Sequence, residues 1–431
     1  MLQFLGSAWA LLFGMFLLML GNGMQGTLLG IRGEIEGFDT FLMSIVMSAY
    51  FVGFLGGSRL APHMIRRVGH VRVFAALASA ISAVMILYPT FPNVALWALG
   101  RVLIGFCFSA VYVTAESWMN NAADNTNRGQ ALSVYMIVQT LGIVTAQALL
   151  LVGDPSGYVP FVIPSVLVSI AITPILLSIS PTPAFETTKP MSLRQLMKFS
   201  PLGCVGMFIL GGIFSAQFGM SSVYGSQAGL SVAQISTFVA TFFIGAVVLQ
   251  YPIGFISDRM DRRFLIIVVS IIGGAGCILG MLFGDVFTLL LLSAFVVGGM
   301  ANPLYSLLIA HTNDFLEHDD MTAASGGLIF INGLGAILGP IVTGWMMGTS
   351  LGPGGFYLFT AVLFGAMILY AGYRSTVRAS LPVEETGSYV PMGPTATSVA
   401  MEIAQEYAIE TELEEEEAEP ETKASTLEPT E

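Results

Sequence analysis

The sequence predicts an all-α integral membrane protein whose twelve transmembrane helices form two pseudo-symmetric six-helix bundles. Three observations lead to this fold class: the apolar composition, the length of the uncharged stretches and a weak internal repeat. Of the 431 residues, 55% are hydrophobic and 10% are charged, whereas an ordinary soluble domain carries roughly a quarter charged residues. We therefore expect most of the surface to face lipid.

The uncharged stretches define the helices, because about 20 apolar residues are needed to cross the hydrocarbon core. One helix each is predicted from residues 1–31, 40–58, 73–100, 129–153, 155–185, 264–284 and 286–313, and one more from 102–119, which holds a single carboxylate. The stretches 199–257 and 321–373 are long enough for two helices each, broken at "YGSQAGLS" and "GTSLGPGG", where glycine and proline interrupt a helix. These stretches predict twelve spans, which we number in chain order.

Lysine and arginine predict the orientation, since both are enriched in cytoplasmic loops. All 16 Lys and Arg residues except Arg32 and Arg101 fall near loops that follow even-numbered spans, or after the last span. We therefore expect a multi-pass protein of the plasma membrane, which is the inner membrane in a bacterium, with both termini cytoplasmic.

An internal repeat divides the chain into two halves. "RRVGHVR" overlays "DRMDRRF", Gln25 overlays Gln217, and Gly105 overlays Gly298, all at nearly the same offset. A constant offset across several helices indicates duplication, as in transporters built from parallel repeats. The predicted domains are an N-terminal bundle at 1–180 and a C-terminal bundle at 203–374.

The linker at 181–202 is rich in proline, yet Ser192 is a suitable N-cap for a short interfacial helix. Its apolar face would hold Leu193, Leu196 and Met197, with the basic side toward lipid headgroups. A flexible connector is the alternative.

The tail at 375–431 carries the entire net charge of −12 and is predicted to be disordered. Within it, "SVAMEIAQEYAIETEL" places Val399, Ile403 and Tyr407 on one helical face. A short helix there, docked on the basic cytoplasmic loops, would inhibit the activity of the protein. The alternative, a solvated tail, is the usual fate of a charge run.

Five segments carry a family resemblance that extends from about residue 21 to residue 350. They are "GNGMQGTLLGIRGEIEGF", "RRVGHVRVF", "AESWMNNAADNTNRGQALSVYM", "GFISDRMDRRF" and "HTNDFLEHDDMTAASGGL". Together they resemble the major facilitator superfamily, specifically its YcaD-like branch. The superfamily's loop motif G-x-x-x-D-R-x-G-R-R is matched by Gly254, Asp258, Arg259, Arg262 and Arg263, with Asp261 in place of the inner glycine. In the first half only Arg67 and Gly69 match, and Arg66 stands where the acid belongs.

The resemblance implies a transporter of a small solute, secondary active or facilitative, that works by rocking two bundles around a central site. It implies that spans 1, 4, 7 and 10 line the cavity, and it leaves the substrate open. The glycine-proline motif of drug antiporters is missing from span 5, which reads "LGIVTAQ". The alternative is a receptor without transport activity on the same scaffold. No nucleophile and base pair or phosphate-binding loop is evident, so we do not expect an enzyme.

Arg101 lies within predicted span 4, inside the "RVLIG" stretch that resembles the superfamily's span-4 motif. An arginine facing lipid at depth costs roughly 2.5–3.5 kcal/mol on insertion scales, so the side chain should face the cavity. Three roles compete: binding an anionic group, pairing with a carboxylate during proton coupling, and pinning span 4 to neighbouring carbonyls. Snorkelling to the outer surface is a further alternative.

Polar residues inside the spans are the remaining candidates for the cavity: Gln25, Gln217, Asn302, Tyr305, Gln139 and Asn332. Each either contacts the solute or forms a hydrogen bond between helices, worth about 0.6 kcal/mol. Because the resemblance implies that spans 1, 4, 7 and 10 line the cavity, Gln25, Arg101, Gln217 and Asn302 are preferred for solute contact.

Opposite charges are predicted to close a cytoplasmic gate between the bundles. Basic loop 2–3 would face acidic loop 10–11, "HTNDFLEHDDMT", while the arginines of loop 8–9 would lie near Glu116 and Asp124. The gate residues are Arg66, Arg67, Glu116, Arg128, Asp258, Arg259, Arg262, Arg263 and Asp314. The alternative is that the charges serve topology alone. Glu116 would either titrate as a coupling proton site or pair with Arg128, and the pair is favoured.

The histidines and cysteines lack the spacing of metal ligands, so neither a metal site nor a cofactor is predicted. The expected partners are a small-molecule solute, membrane lipid and, under proton coupling, protons. We expect a monomer with no nucleic-acid partner.

Overall fold

The structure is a computed structural model that describes residues 2–122, 128–177, 191–378, 382, 386–387 and 389–406. Within these residues it is all-helical, and twelve helices are long and apolar enough to cross a membrane. The predicted number of spans is therefore confirmed. The single-helix spans are 1 (Leu2–Ile35), 2 (Thr40–Val68), 3 (His70–Thr90), 4 (Val94–Ala122), 5 (Arg128–Leu149), 8 (Val232–Ser257), 9 (Arg262–Phe283), 10 (Phe287–Asn313), 11 (His318–Met347) and 12 (Gly354–Val377).

Two spans are interrupted. Span 6 consists of helices Val159–Ala171 and Thr173–Leu177, whereas span 7 runs through Pro201–Ser215, a π-helical turn at Ala216–Met220, and Ser221–Gln227. A π turn holds one residue more than an α turn and occurs frequently at functional sites. This one contains Gln217, which is a predicted cavity residue.

Both predicted glycine turns separate helices as expected. Span 7 ends at Gln227 and span 8 begins after Ser231, whose side chain and that of Gln234 form a reciprocal capping box. Gly229 in this turn has φ +72°, a left-handed conformation that glycine adopts without steric cost. Gly352 serves the second turn in the same way with φ +51°.

Glycines bring equivalent helix pairs of the two halves into backbone contact. A Cβ atom at Gly105 in span 4 would overlap the carbonyl oxygen of Tyr50 in span 2. In the second half, a Cβ atom at Gly298 in span 10 would overlap the carbonyl oxygen of Phe242 in span 8. Small residues permit such close approach of transmembrane helices. The shared contact supports the duplication that the sequence offset indicates.

The two halves meet at the end of the molecule opposite the arginine-rich turns; we call the end with the turns at 66–72 and 258–263 the basic end. At the opposite end, Gly344 of span 11 lies against Ser44 of span 2. Nearer the middle, the Ser48 hydroxyl donates to the carbonyl oxygen of Ile337 over 2.5 Å. Further toward the basic end, the Arg59 guanidinium carbon lies 4.3 Å from the centre of the Phe330 ring.

The linker contains the helix Leu193–Phe199, capped by the Ser192 hydroxyl, which accepts from the backbone N–H of Gln195. Leu196 is buried against Gly327 of span 11, whereas Leu193 and Met197 are exposed. Residues 178–190 lie outside the described part of the chain. The contact of the basic side with headgroups stays a prediction.

The predicted disorder of the tail does not apply to residues 386–387 and 389–406, which we call the tail segment. They return from the end of span 12 into the space between the two halves, and residues 398–406 form a helix. Val399 and Ile403 of the predicted apolar face are buried in the protein core. Tyr407 lies outside the described residues. Apolar burial explains the order, because the segment packs on the bundles and its acidic continuation begins after it.

Candidate solute site

Arg101 is fully buried in span 4. Its three guanidinium nitrogens have no hydrogen-bond partner among the residues that the structure describes. The guanidinium carbon lies 4.7 Å from the centre of the Tyr50 ring, a distance at which a cation is attracted to an aromatic face. The predicted pin to neighbouring carbonyls is therefore not formed, and snorkelling to the surface does not occur.

Other buried polar atoms in the described part of the chain lie near Arg101, but none of them forms a hydrogen bond with its guanidinium group. The hydroxyls of Tyr50 and Tyr88 are buried and lack partners within the described residues, and the Tyr88 ring packs against Gly100, the neighbour of Arg101. Neutral polar groups buried without hydrogen bonds cost roughly 1–3 kcal/mol each. Such a concentration of unsatisfied groups is typical of a site whose partner is a ligand or water.

The predicted pair Gln25 and Gln217 shares the same layer of the membrane. Counted at 1.5 Å per helical residue, Gln25 and Arg101 both lie roughly 10–15 Å from the end opposite the basic end. Gln25 is buried with both side-chain atoms unpartnered in the described structure, as is the amide nitrogen of Gln217. Phe218, next to Gln217, lies 5.8 Å from the Tyr50 ring. The π turn therefore brings span 7 against the Arg101 neighbourhood.

A small cavity of about 60 Å³ lies further toward the basic end, between the halves. Its walls include Glu116, Gln139 and Asn302, and Phe214 and Phe218 line it beside the tail segment. Two predicted cavity residues, Gln139 and Asn302, are therefore brought together here. Asn302 also donates to the Gly298 carbonyl of its own helix over 3.3 Å.

Asn332 and Tyr305 occupy other environments. The Asn332 amide donates to the carbonyl oxygen of Met207 over 3.0 Å, so this side chain joins spans 11 and 7 as the sequence alternative described. Tyr305 is buried, with its hydroxyl 4.0 Å from the sulfur of Met401 in the tail segment. The sequence reasoning did not identify Tyr50 and Tyr88, because tyrosine is common in membrane helices and nothing in its spacing distinguishes these two.

The arginines of loop 8–9 bind within their own half. Arg262 donates to the carboxylate of Asp314 and to the carbonyl oxygen of Gly387, and Arg263 donates to the carbonyl oxygen of Arg378. Arg259 donates to the Phe255 carbonyl over 2.9 Å. In this conformation Arg259, Arg262 and Arg263 therefore bind groups other than Glu116, because the ends of spans 8, 9 and 10 are adjacent. Their pairing with Glu116 in a closed gate stays a prediction. Asp124 and the side chain of Arg128 lie outside the described residues.

Asp314 and Asp258 contact the tail segment as well. Asp314 accepts from the Gly387 N–H over 3.3 Å, and Asp258 accepts from the Tyr389 N–H over 2.9 Å. Burial raises the pKa of Tyr389 above its usual range, which keeps its hydroxyl neutral.

On the other side of the basic end, Arg66 and Arg67 are exposed in the last turn of span 2, where basic side chains complement the helix dipole. Their part in a gate stays a prediction.

Glu116 is buried in span 4, where it accepts from the Tyr135 hydroxyl over 3.3 Å and from the Thr397 hydroxyl of the tail segment. Its pairing with Arg128 stays a prediction, as does a role in proton coupling. Across the described residues, no group of three His, Cys, Asp or Glu side chains is placed to hold a metal ion.

Two helical bundles that enclose a buried cationic group and a polar crevice are typical of membrane transporters. The family profile of the Major Facilitator Superfamily matches residues 11–231 and 202–399. The chain belongs to this family.

Sequence and structure comparisons with other proteins support this assignment. The chain is 26% identical over 341 residues to the uncharacterized MFS-type transporter YcaD of Escherichia fergusonii, covering 78% of this chain and 88% of that protein. A mutant of the nucleoside transporter NupG superposes with a TM-score of 0.72 at 16% identity, covering 84% of this chain and 98% of that one. A bacterial homologue of the human lysosomal transporter Spinster, inward-facing and occupied, also scores 0.72, at 12% identity and with 88% and 98% covered. These likenesses confirm the predicted fold and the YcaD-like resemblance.

Proposed function

We propose that this transporter carries a small solute with an anionic group by alternating access, and that Arg101 binds the anionic group. One observation carries the proposal: the buried guanidinium of Arg101 has no acceptor among the described residues. A buried charge without a partner is strongly unfavourable, and a carboxylate or phosphate forms short, charge-assisted hydrogen bonds with arginine. An anionic solute would supply the missing acceptors.

The arrangement of the halves supports alternating access by rocking. The contacts between spans 2 and 11 lie at the end opposite the basic end and in the middle, whereas the tail segment separates the halves at the basic end. With the basic end cytoplasmic, as the distribution of Lys and Arg indicates, this is the conformation closed to the outside. Both termini then lie in the cytoplasm, and a bacterial chain lies in the inner membrane as a monomer.

Proton coupling is a second element of the proposal. Glu116 is a buried carboxylate at the edge of the cavity, as a coupling site requires.

The receptor alternative keeps the same solute site but moves no solute. Uptake of a bound solute into liposomes that hold the purified protein separates the two.

A thermal-shift screen of the purified full chain against carboxylates, phosphates and sulfonates tests the anion site. We expect at least one anion to raise the unfolding midpoint, because a ligand at 100 times its Kd stabilises the folded state by about 2.7 kcal/mol. The shift should disappear in Arg101→Gln, which removes the cation.

Asn332→Ala is the matched control, because it removes a buried polar side chain that already has a protein partner. This variant should lower the basal midpoint and keep the anion-dependent shift. An anion that stabilises Arg101→Gln as much as the parent would contradict the proposal.

A further inference from the structure

The tail segment lies inside the space that separates the two halves at the basic end. Met401, Ile403 and Ala404 in the helix 398–406 are each at most 2% exposed, and Met392 before it is 2% exposed. Ser398 on the same helix is exposed. The segment therefore buries one defined face between the bundles.

Contacts with the C-terminal half fix the beginning of the tail segment. Arg262 and Asp258 of the loop motif bind the backbone of Gly387 and Tyr389. Next along the chain, the backbone N–H of Met392 donates to the Ser306 hydroxyl over 2.8 Å. The charged side chains of the loop motif thus form hydrogen bonds with peptide groups of the tail segment.

The middle of the tail segment reaches the N-terminal half. The Thr397 hydroxyl donates to the buried Glu116 carboxylate and also accepts from the backbone N–H of Val399 in the first turn of the helix. Gly393 lines the central cavity together with Met136 of span 5. The segment therefore contacts both halves.

The end of the tail segment returns to spans 10 and 11. The Gln405 amide nitrogen lies 2.9 Å from the Ser325 hydroxyl and 3.3 Å from the side-chain oxygen of Asn313. It also donates to the Met321 carbonyl over 3.2 Å. A buried amide with several acceptors is specific for one position, because a shifted helix would leave these groups without partners.

The space left between Glu116 and the tail segment is small. The cavity beside Glu116 measures about 60 Å³, which is room for about two water molecules, whereas ligand pockets occupy roughly 300–1,000 Å³. The tail residues Met392, Gly393 and Ala400 form part of its wall. Larger spaces of about 310 and 640 Å³ lie between spans 5 and 8, with Pro391 of the tail segment in the wall of each.

We propose that the tail segment is an internal plug that occupies the cytoplasmic half of the solute pathway and competes with the solute. This inference rests on the proposed function, since it takes the space between the halves as the pathway. A solute binds only the molecules whose tail is released. Its apparent Kd is therefore the intrinsic Kd divided by the fraction of molecules with a released tail. A segment bound to both halves also holds them in one relative position, and its release is needed before they rock.

Cysteine labelling tests the plug without any knowledge of the solute. Cys107, Cys204 and Cys277 are buried and are replaced by serine, and Tyr305→Cys then places a reporter beneath Met401. The probe is N-ethylmaleimide, applied to the full chain in nanodiscs. Labelling needs the tail to leave, so its rate measures the released fraction.

Met401→Asp places a charge in the buried face and should raise the labelling rate about tenfold to a thousandfold, the reciprocal of a minor state populated at 0.1–10%. The matched control is Ser398→Asp, which adds the same charge on the exposed face of the same helix and should leave the rate unchanged. Equal rates in the parent, Met401→Asp and Ser398→Asp would overturn the plug.

A disulfide provides a second measurement if Met401→Asp fails to fold. Ser306→Cys combined with Met392→Cys should cross-link on oxidation, because the Ser306 hydroxyl lies 2.8 Å from the backbone nitrogen of Met392. The cross-linked chain should lose the thermal shift caused by the anion found in the screen and regain it on reduction. Failure to cross-link would overturn the docked position. A cross-linked chain that still binds the anion would overturn competition while leaving the anion site intact.

Discussion

Arg101→Met should stabilise the folded protein and abolish its response to anions. Methionine fills a similar volume in a buried apolar site, and replacing buried ionic groups by packed apolar ones stabilises proteins by about 1–4 kcal/mol where their partners are poor. Arg101 is fully buried and lacks an acceptor within the described residues, so the gain should approach the upper part of this range. Thermal unfolding of the purified protein, with and without the anion found in the screen, measures both effects.

Arg32→Met is the control for this substitution. Arg32 forms an ion pair with Glu36 at 2.6 Å and donates to the carbonyl oxygen of Pro155 over 3.0 Å, so its loss should lower stability by up to about 1 kcal/mol. The two substitutions should thus change stability in opposite directions. A loss of about 3–5 kcal/mol in Arg101→Met would show that the arginine is a structural partner of other groups and would remove it from solute binding.

Gly105→Ala should destabilise the protein strongly, and so should Gly298→Ala at the equivalent position. In both cases the added methyl group overlaps a backbone carbonyl oxygen of the neighbouring helix, and a backbone cannot move aside as a side chain does. Overpacking costs about 1–3 kcal/mol where side chains adjust, so we expect about 3 kcal/mol or more here. The unfolding midpoint of each variant in detergent gives the comparison.

Gly365→Ala in span 12 is the matched control, because a Cβ atom there meets nothing within 4 Å among the described residues. Alanine is favoured over glycine inside a helix by roughly 0.5–1 kcal/mol, so this variant should be slightly more stable than the parent. If Gly105→Ala melts at the same temperature as Gly365→Ala, the backbone contact between spans 2 and 4 is wrong.

The sequence predicts most of the fold, because each transmembrane helix leaves a local signal. An uncharged stretch, its glycine turns and its flanking arginines all lie within about 30 residues of one another. The equivalence of Gly105 and Gly298 was also predictable from their sequence offset, and each glycine forms the same helix contact in its own half. The sequence close to each helix is therefore largely sufficient to predict where that helix crosses the bilayer.

The contacts of the basic end were not predictable in the same way. Thr397 and Glu116 are separated by 281 positions in the chain, and Arg262 and Asp314 by 52. Charge patterning shows that opposite charges are available, but several pairings satisfy it equally. The tail helix had a readable apolar face, yet nothing local identifies the surface that covers it.

The polar residues inside the membrane show a similar limit. Asn332 and Gln25 both carry a side-chain amide inside the membrane, but Asn332 donates to a neighbouring carbonyl while Gln25 lacks a partner in the described structure. The difference depends on which backbone oxygens face each side chain, and this follows from helix rotation. Arg101 was recognisable because its charge makes any position inside the membrane costly.

The π turn at Ala216–Met220 gives the two halves different mechanical properties. Gln25 lies in an uninterrupted α-helix, whereas Gln217 lies in the widened turn of its counterpart. A widened turn can pass its surplus residue to the next turn by exchanging carbonyl partners, so this helix bends without losing its ladder of backbone bonds. We expect span 7 to flex during the cycle while span 1 behaves as a stiff lever, so that a symmetric architecture moves asymmetrically.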